Sequence, residues 1–129
     1  MAIRIVRLGT PRAKGEPLRV GTVRRPPRGV PKNEFASRDF YDVWFPTVAP
    51  TQQTMDIAHS ATSPADWSRF FKQYRSEMKK PDAKHAIDLL AAMSHVVDFS
   101  IGCYCENELH CHRHELRNLL RAAGAHILE

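Results

Sequence analysis

The sequence predicts an α/β fold in which helices cover a small sheet within one compact domain. Short segments with the pattern of strands occur near the start of the chain, again around residue 100 and at its end. Long segments with helical periodicity lie between them, and this order of elements is typical of a sheet with helices packed on it. A length of 129 residues suits one domain with one core, so we assign residues 1–129 to a single domain.

The first part of the chain is predicted to contain two strands and two loops. Residues 3–8 alternate apolar and basic side chains, as a strand with one buried face does. Residues 10–17 contain two prolines and a glycine, which is typical of a loop, and residues 18–23 are predicted as the second strand. Three prolines and a glycine in RRPPRGVPK, residues 24–32, exclude regular structure. We call this stiff basic segment the arginine loop.

The middle of the chain is predicted to be helical. Residues 40–50 are aromatic and broken by proline, so we expect irregular packing there, followed by a short helix over residues 51–59. The clearest helix begins at Ser63, an N-cap residue followed by Pro64. Its apolar side chains recur at helical spacing as far as Met78, which predicts that this face lies in the core.

The remaining elements follow from the same patterns. Pro81 is predicted to end the long helix, with Asp82 capping the next one, which continues to about His95. Residues 97–105 alternate between apolar and other side chains on two opposite faces, which favours a strand. The last helix is predicted to stop at Gly124, and the AHIL segment after it is predicted as a short strand.

Composition and charge restrict the class of protein. No segment approaches the ~18 apolar residues that a bilayer-spanning helix needs, and the first residues are too charged for a signal peptide. We therefore expect a cytoplasmic protein that does not enter a membrane. Three cysteines without a secretion signal do not predict a disulfide framework. The net charge of +5 favours an anionic partner, and nothing in the sequence indicates the oligomeric state.

All three cysteines lie close together and form the strongest candidate for a site. Cys103 and Cys105 are two residues apart on a predicted strand, so their side chains point the same way. Cys111 is expected at the start of the last helix, where the helix dipole and Arg113 would lower the pKa of a thiol. Strand ends and helix starts hold many anion and nucleophile sites in α/β folds. We therefore predict Cys111 as a nucleophile and His112 as its acid/base.

Other interpretations of this segment remain open. Cys103 and Cys105 could be small buried hydrophobic residues, as free cysteines often are. Zinc could bind Cys103, Cys105, Cys111 and a histidine such as His112, but the spacing is not that of a common zinc finger, so no metal is favoured. The spacing from Cys111 to Arg117 is that of cysteine phosphatases. However, the intervening residues contain no glycine, which a phosphate-binding loop needs.

The arginine loop is the second candidate. Arg25, Arg28 and Lys32 could bind a phosphate or carboxylate with the bidentate geometry that arginine provides. The alternative is a solvated basic loop without a ligand. If the sheet brings this loop close to the cysteines and Arg113, one anion-binding cleft results, and His59 could also line it.

Four segments in a fixed order carry a resemblance to a known family. They are IRIVRL, RRPPRGVPK, WFPTVAPT and the segment from His59 to Met78, and CENELHCHR follows the later strand. Together they resemble the YeaO-like proteins, a bacterial family of unknown function, over nearly the whole chain. The resemblance implies a shared fold and site location. Pro26 stands where the family has tryptophan, and the cysteines are more numerous than in many members.

These observations predict a domain that binds, and could act on, a small anionic ligand such as a nucleotide or phosphate ester. The ligand would contact the arginine loop and the helix start formed by Cys111, His112 and Arg113. One alternative is a module associated with nucleic acid, which would use the positive charge without a recognisable binding motif. The other is a zinc-stabilised interaction domain without catalysis.

Overall fold

The computed structural model describes residues 1–128, in which a five-stranded sheet is the central layer. The strands are β1 (Ile3–Arg7), β2 (Arg19–Gly21), β3 (Val43–Trp44), β4 (Phe99–Cys103) and β5 (Ile127–Leu128). They lie in the order β3-β2-β4-β1-β5, and every neighbouring pair is parallel. The predicted α/β class is therefore confirmed.

Four α-helices occur in the described part of the chain: α1 (Gln52–His59), α2 (Pro64–Met78), α3 (Pro81–Met93) and α4 (His112–Ala122). The side chain of Ser63 accepts a hydrogen bond from the backbone N–H of Asp66, which confirms the predicted N-cap of α2. Short 3-10 helices occupy Lys32–Glu34, Pro46–Val48 and Glu108–His110. None of the helices within residues 1–128 is long and apolar enough to cross a membrane.

Two elements differ from the prediction in their local details. Strand β3 lies within residues 40–50, where irregular packing was expected, because a two-residue edge strand is too short to give a periodic pattern. Pro81 is the first residue of α3, where its missing N–H has no cost, and Lys80 rather than Asp82 is the N-cap.

The hydrophobic core lies where the helices meet the sheet. Strand β4 is buried on both faces, because it lies in the middle of a parallel sheet. Phe70 and Tyr74 of α2 are buried as predicted, and Trp67 is half-buried. A second, smaller apolar cluster contains the two cysteines of the candidate site and consists of Leu8, Val23, Tyr41, Cys103 and Cys111.

The sheet topology explains why two distant segments meet. Strands β2 and β4 are neighbours, with Gly21 opposite Gly102. The chain leaving β2 continues to β3 at one edge of the sheet, whereas the chain leaving β4 passes through α4 to β5 at the opposite edge. Diverging connections of this kind leave a crevice at the carboxyl ends of the two strands. The arginine loop follows β2 and the cysteine segment follows β4, so both begin at this crevice.

A buried ion pair orders the loop between β1 and β2. Arg19 is only 1% exposed and forms an ion pair with Glu16. Its guanidinium group also donates hydrogen bonds of 2.7 Å to the carbonyl oxygens of Thr10 and Asp39. Arg19 therefore holds the loops around β2 and has a structural role, although it belongs to the same basic stretch of sequence as the arginine loop.

Candidate functional site

A cavity of about 610 Å³ lies at the carboxyl ends of β2 and β4. Cavities of roughly 300–1,000 Å³ are usual for small-molecule sites. Its walls come from the arginine loop, from α1, from the segment after β4 and from the start of α4. The lining residues are Val23, Arg24, Arg25, Pro26, Arg28, Gln52, Met55, His59, Cys103, Tyr104, Cys105 and His112.

Basic side chains line the cavity and acidic ones do not. Its wall contains Arg24, Arg25, Arg28, His59 and His112, and no Asp or Glu among the described residues. Arg24 donates from Nε to the carbonyl oxygen of Pro50 at 2.8 Å, which holds its side chain in place. Excess positive charge in a concave site attracts an anion, because the low-dielectric walls screen the field less than water does.

The arginines of the loop differ in how they are held. Nε of Arg25 donates to Oε1 of Gln52 at 3.1 Å, which aligns the guanidinium group with the start of α1. Arg28 is exposed and has no hydrogen-bond or ion-pair partner within residues 1–128. The next residue, Gly29, has a φ of +74°, which favours glycine and turns the chain sharply beside Arg28. Arg28 is therefore a cation at the cavity whose donors remain available to a ligand.

Three side chains with metal-binding atoms meet at the wall of the cavity, which Cys103 and His112 line. Cys103 ends β4, Cys111 is the N-cap residue of α4, and His112 is the first residue of that helix. One ligand atom from each lies within 4.8 Å of the others, and all three residues are buried. The sulfurs of Cys103 and Cys111 lie at disulfide distance in this structure, with their Cα atoms 7.8 Å apart. We call these three residues the Cys-His cluster.

A backbone carbonyl fixes the orientation of His112. Its Nε2 donates to the carbonyl oxygen of Thr22 at 2.5 Å, and its Nδ1 lies 3.9 Å from Sγ of Cys111. Burial lowers the pKa of His112 to about 4; the bond to Thr22 opposes this shift, and the charges of Arg113 and Arg24 add to it. The ring is therefore neutral at pH 7, with its Nδ1 lone pair directed at sulfur.

The third cysteine is different from the other two. Cys105 is a free, half-buried thiol that lines the cavity. Burial raises the pKa of Cys105, and the nearby charges of Arg113 and Arg7 oppose the shift without cancelling it. At neutral pH this residue is therefore a protonated thiol.

Comparison with known families matches residues 3–124 to the family DUF488-N3a, described as the active DUF488-N3 subclade. The chain belongs to this family. YeaO is itself a DUF488 protein, so the resemblance seen in the sequence is confirmed, and the family is one of uncharacterised function. Neither the curated proteins nor the solved structures contain a match to the chain.

The DUF488 domain brings most of the predicted site residues together. Arg25, Arg28, His59 and His112 all line the one cavity. Cys111 is 1% exposed and lies behind the wall, so it does not face the cavity directly.

Lys32 and Arg113 lie outside the cavity lining. Lys32 borders a separate depression that Phe35 and Trp44 also line. Arg113 is buried, and its Nε has no hydrogen-bond partner among the described residues. Burial lowers the pKa of Arg113, an effect that the charge of Glu108 opposes.

The cysteine segment suggested two alternatives, a four-ligand zinc site and a cysteine-phosphatase loop, and neither is complete among the described residues of this DUF488 domain. Cys105 is not part of the Cys-His cluster, so three of the four possible metal ligands come together. The residues after Cys111 are helical from His112 onward and do not form a phosphate-binding loop. Arg117, the arginine of the phosphatase spacing, forms an ion pair with Glu108 at 2.5 Å. The sulfurs of Cys103 and Cys111 lie at disulfide distance, whereas Cys105 is a free thiol.

Several residues that shape the site were not predicted from the sequence. Tyr104 lies between two cysteines and lines the cavity, and its hydroxyl donates to the carbonyl oxygen of Arg25 at 2.9 Å. Gln52 and Met55 line the cavity from α1. Thr22 acts through its backbone carbonyl, which leaves no signal in the sequence. For Tyr104 the aromatic ring between two candidate cysteines was the available signal.

Proposed function

We propose that this DUF488 domain binds a small anionic ligand, such as a nucleotide or another phosphate ester, in the cavity at the ends of β2 and β4. The observation that carries the proposal is the charge of the wall, which contains three arginines and two histidines and, among the described residues, no carboxylate. The volume of about 610 Å³ is sufficient for a ligand of this size.

Arg28 and Arg25 are the proposed anion-binding residues. Arg28 has no partner within residues 1–128, so its guanidinium group can form a bidentate contact with a phosphate. Arg25 is already aligned by Gln52, which reduces the side-chain entropy lost on binding. His59 is the last residue of α1, lines the cavity and adds a further donor. Lys32 and Arg113, which lie outside the lining, would contribute through their charge alone.

A reaction on the bound ligand is a further expectation of this proposal. The description of the matched subclade as active supports chemistry in the family. The predicted nucleophile Cys111 and acid/base His112 are adjacent, with Sγ and Nδ1 3.9 Å apart. Because the sulfurs of Cys111 and Cys103 lie at disulfide distance, a nucleophilic role requires the reduced form of the pair.

Calorimetric titration of the protein with adenosine monophosphate, inorganic phosphate and neutral adenosine tests the proposal. We expect the two anions to bind and adenosine to bind much more weakly. Because charge-assisted hydrogen bonds contribute about 1.5–3 kcal/mol, Arg28→Gln and Arg25→Gln should each weaken phosphate-ester binding about 10-fold or more.

Arg38→Gln is the matched control, because Arg38 is exposed, lies outside the cavity lining and gives the same change in net charge. An equal loss of affinity in all three variants would indicate general electrostatic attraction and overturn the proposal. Tighter binding of duplex DNA than of the nucleotide, with a steep salt dependence, would instead favour the nucleic-acid alternative.

A further inference from the structure

We propose that the Cys-His cluster is a zinc site with three protein ligands and a fourth position that faces the cavity. Two thiolates and a neutral imidazole are the ligand types that zinc prefers in proteins. Cys103, Cys111 and His112 supply this set from two elements of regular structure, the end of β4 and the start of α4.

The spacing of the backbone fits an ion between the sulfurs. The Cα atoms of Cys103 and Cys111 are 7.8 Å apart. In disulfides this distance is usually about 4.4–6.8 Å. Thiolates on one tetrahedral zinc, each bonded at about 2.3 Å, lie about 3.8 Å from each other and so suit a wider backbone separation. The 3.9 Å between Sγ of Cys111 and Nδ1 of His112 is close to the spacing of two ligands on one ion.

The hydrogen bond to Thr22 is an independent observation that favours a metal. A histidine that binds a metal with one ring nitrogen almost always donates from the other to a carbonyl or carboxylate. In His112 the donating atom is Nε2 and the acceptor is the carbonyl oxygen of Thr22, at 2.5 Å. This bond leaves Nδ1 unprotonated and aimed at the sulfur of Cys111, in the orientation that coordination requires.

The cavity determines where the fourth ligand would come from. Cys103 and His112 both line it, whereas Cys105 lies outside the cluster. Sites with three protein ligands and one open position are typical of catalytic zinc, which holds water or substrate there. An oxygen of the bound anion, or a water beside it, would take this position. This part of the proposal rests on the proposed function. The three-ligand site itself does not depend on it.

Loading of the site requires the reduced cysteines. A dithiol reductant gives two electrons and two protons to the Cys103–Cys111 disulfide and is itself oxidised to a disulfide. Each cysteine is then a thiol, and binding of Zn²⁺ replaces the two thiol protons, which are released to solvent. The oxidised protein should therefore not bind zinc at this site.

The test uses the full chain, reduced with a dithiol, freed of the reductant under nitrogen and supplied with Zn²⁺ or Co²⁺. We expect one ion per chain by elemental analysis, and an absorption band from thiolate-to-cobalt charge transfer. An alkylating reagent should modify one thiol, that of Cys105, in the zinc-loaded protein. In mild urea, which opens the buried site, Cys103 and Cys111 should react faster after chelation than with zinc bound. These readouts use the wild-type chain, so they do not depend on the folding of any variant.

Three single variants and a control locate the site. Cys103→Ser, Cys111→Ser and His112→Gln should each lose stoichiometric zinc, whereas Cys105→Ser should retain it. Zinc content well below one ion per chain, or equal alkylation of all three cysteines with zinc present, would overturn the proposal. Titration of the metal-free protein with adenosine monophosphate separates the two proposals, because the arginines can bind the anion without the ion.

Discussion

The hydroxyl of Tyr104 donates a 2.9 Å hydrogen bond to the backbone carbonyl of Arg25, a residue 79 positions earlier in the chain. This bond joins the segment after β4 to the arginine loop after β2. Burial raises the pKa of Tyr104, so the phenol stays protonated and remains a donor at neutral pH. The two halves of the cavity wall are therefore fixed to each other before any ligand arrives.

Tyr104→Phe should lower the affinity for an anion more than it lowers the free energy of unfolding. Loss of one hydrogen bond of about 1 kcal/mol frees the arginine loop and should reduce affinity for adenosine monophosphate by roughly 3- to 10-fold. Tyr41→Phe is the matched control, because the buried hydroxyl of Tyr41 has no hydrogen-bond partner among the described residues. Calorimetric titration of both variants with adenosine monophosphate tests this prediction. An equal loss of affinity in the two variants would contradict this role of Tyr104.

Arg19→Met should destabilise the protein by roughly 3–5 kcal/mol, because it leaves the carboxylate of Glu16 buried without its partner. Urea unfolding measures the loss. Adding Glu16→Gln should recover part of it, since the unpaired charge is then removed. Lys14→Met changes an exposed residue of the same loop and should alter the free energy of unfolding by less than about 0.5 kcal/mol. Unchanged stability of Arg19→Met would contradict the structural role of this ion pair.

The elements that depend on local sequence were predictable, and the contacts between them were not. Ser63 marks the start of α2 because capping uses a side chain and an N–H three residues apart. Gly124 ends the last helix with a φ of +94°, a conformation that glycine adopts readily. Strand β3 was missed because two residues give no period, and its pairing with β2 depends on the whole sheet.

The sequence indicated which segments form the site but not how these segments are arranged in space. The sequence indicated that the arginine loop and the cysteine segment follow strands, yet their meeting depends on β2 and β4 being neighbours. Residue type alone could not separate Arg19, which is buried and paired, from Arg28, which has no partner within residues 1–128. Nor could spacing reveal that Cys111 would contact Cys103 and leave Cys105 apart.

The loss of stability at acidic pH should depend on Asp42. Burial raises the pKa of Asp42, but hydrogen bonds from Arg12 and from the backbone N–H of Arg19 outweigh burial, and the net shift is downward from 3.8. A lowered carboxyl pKa stabilises the fold above about pH 4, and this stabilisation is lost as the pH falls through the folded-state pKa. Asp42→Asn should therefore cost roughly 1–2 kcal/mol at pH 7 and less at pH 2.5.

Urea unfolding of Asp42→Asn and the wild type at both pH values checks this dependence. Asp88→Asn is the control, because Asp88 pairs with Lys84 on the exposed surface of α3 and such pairs contribute little. A difference between Asp42→Asn and the wild type that stays constant from pH 7 to pH 2.5 would show that the ionised carboxylate is not the source of the stabilisation.

Glu77 should control the position of α1, which carries one wall of the cavity. Its buried carboxylate accepts hydrogen bonds from the backbone and hydroxyl of Thr51 and, at 2.8 Å, from the hydroxyl of Thr54. Glu77→Gln replaces one acceptor with a donor that faces these donors. We expect a loss of about 1.5–3 kcal/mol in the free energy of unfolding and faster amide hydrogen exchange in α1.

A double-mutant cycle with Thr54→Val separates this contact from a general loss of packing. If the hydroxyl of Thr54 acts through Glu77, removal of both groups costs less than the sum of the two single changes, since the bond between them can be lost only once. Additive losses would mean that the two side chains stabilise the protein independently. Coupling together with faster exchange confined to α1 would mean that one carboxylate in α2 sets the position of Gln52, Met55 and His59 in the cavity wall.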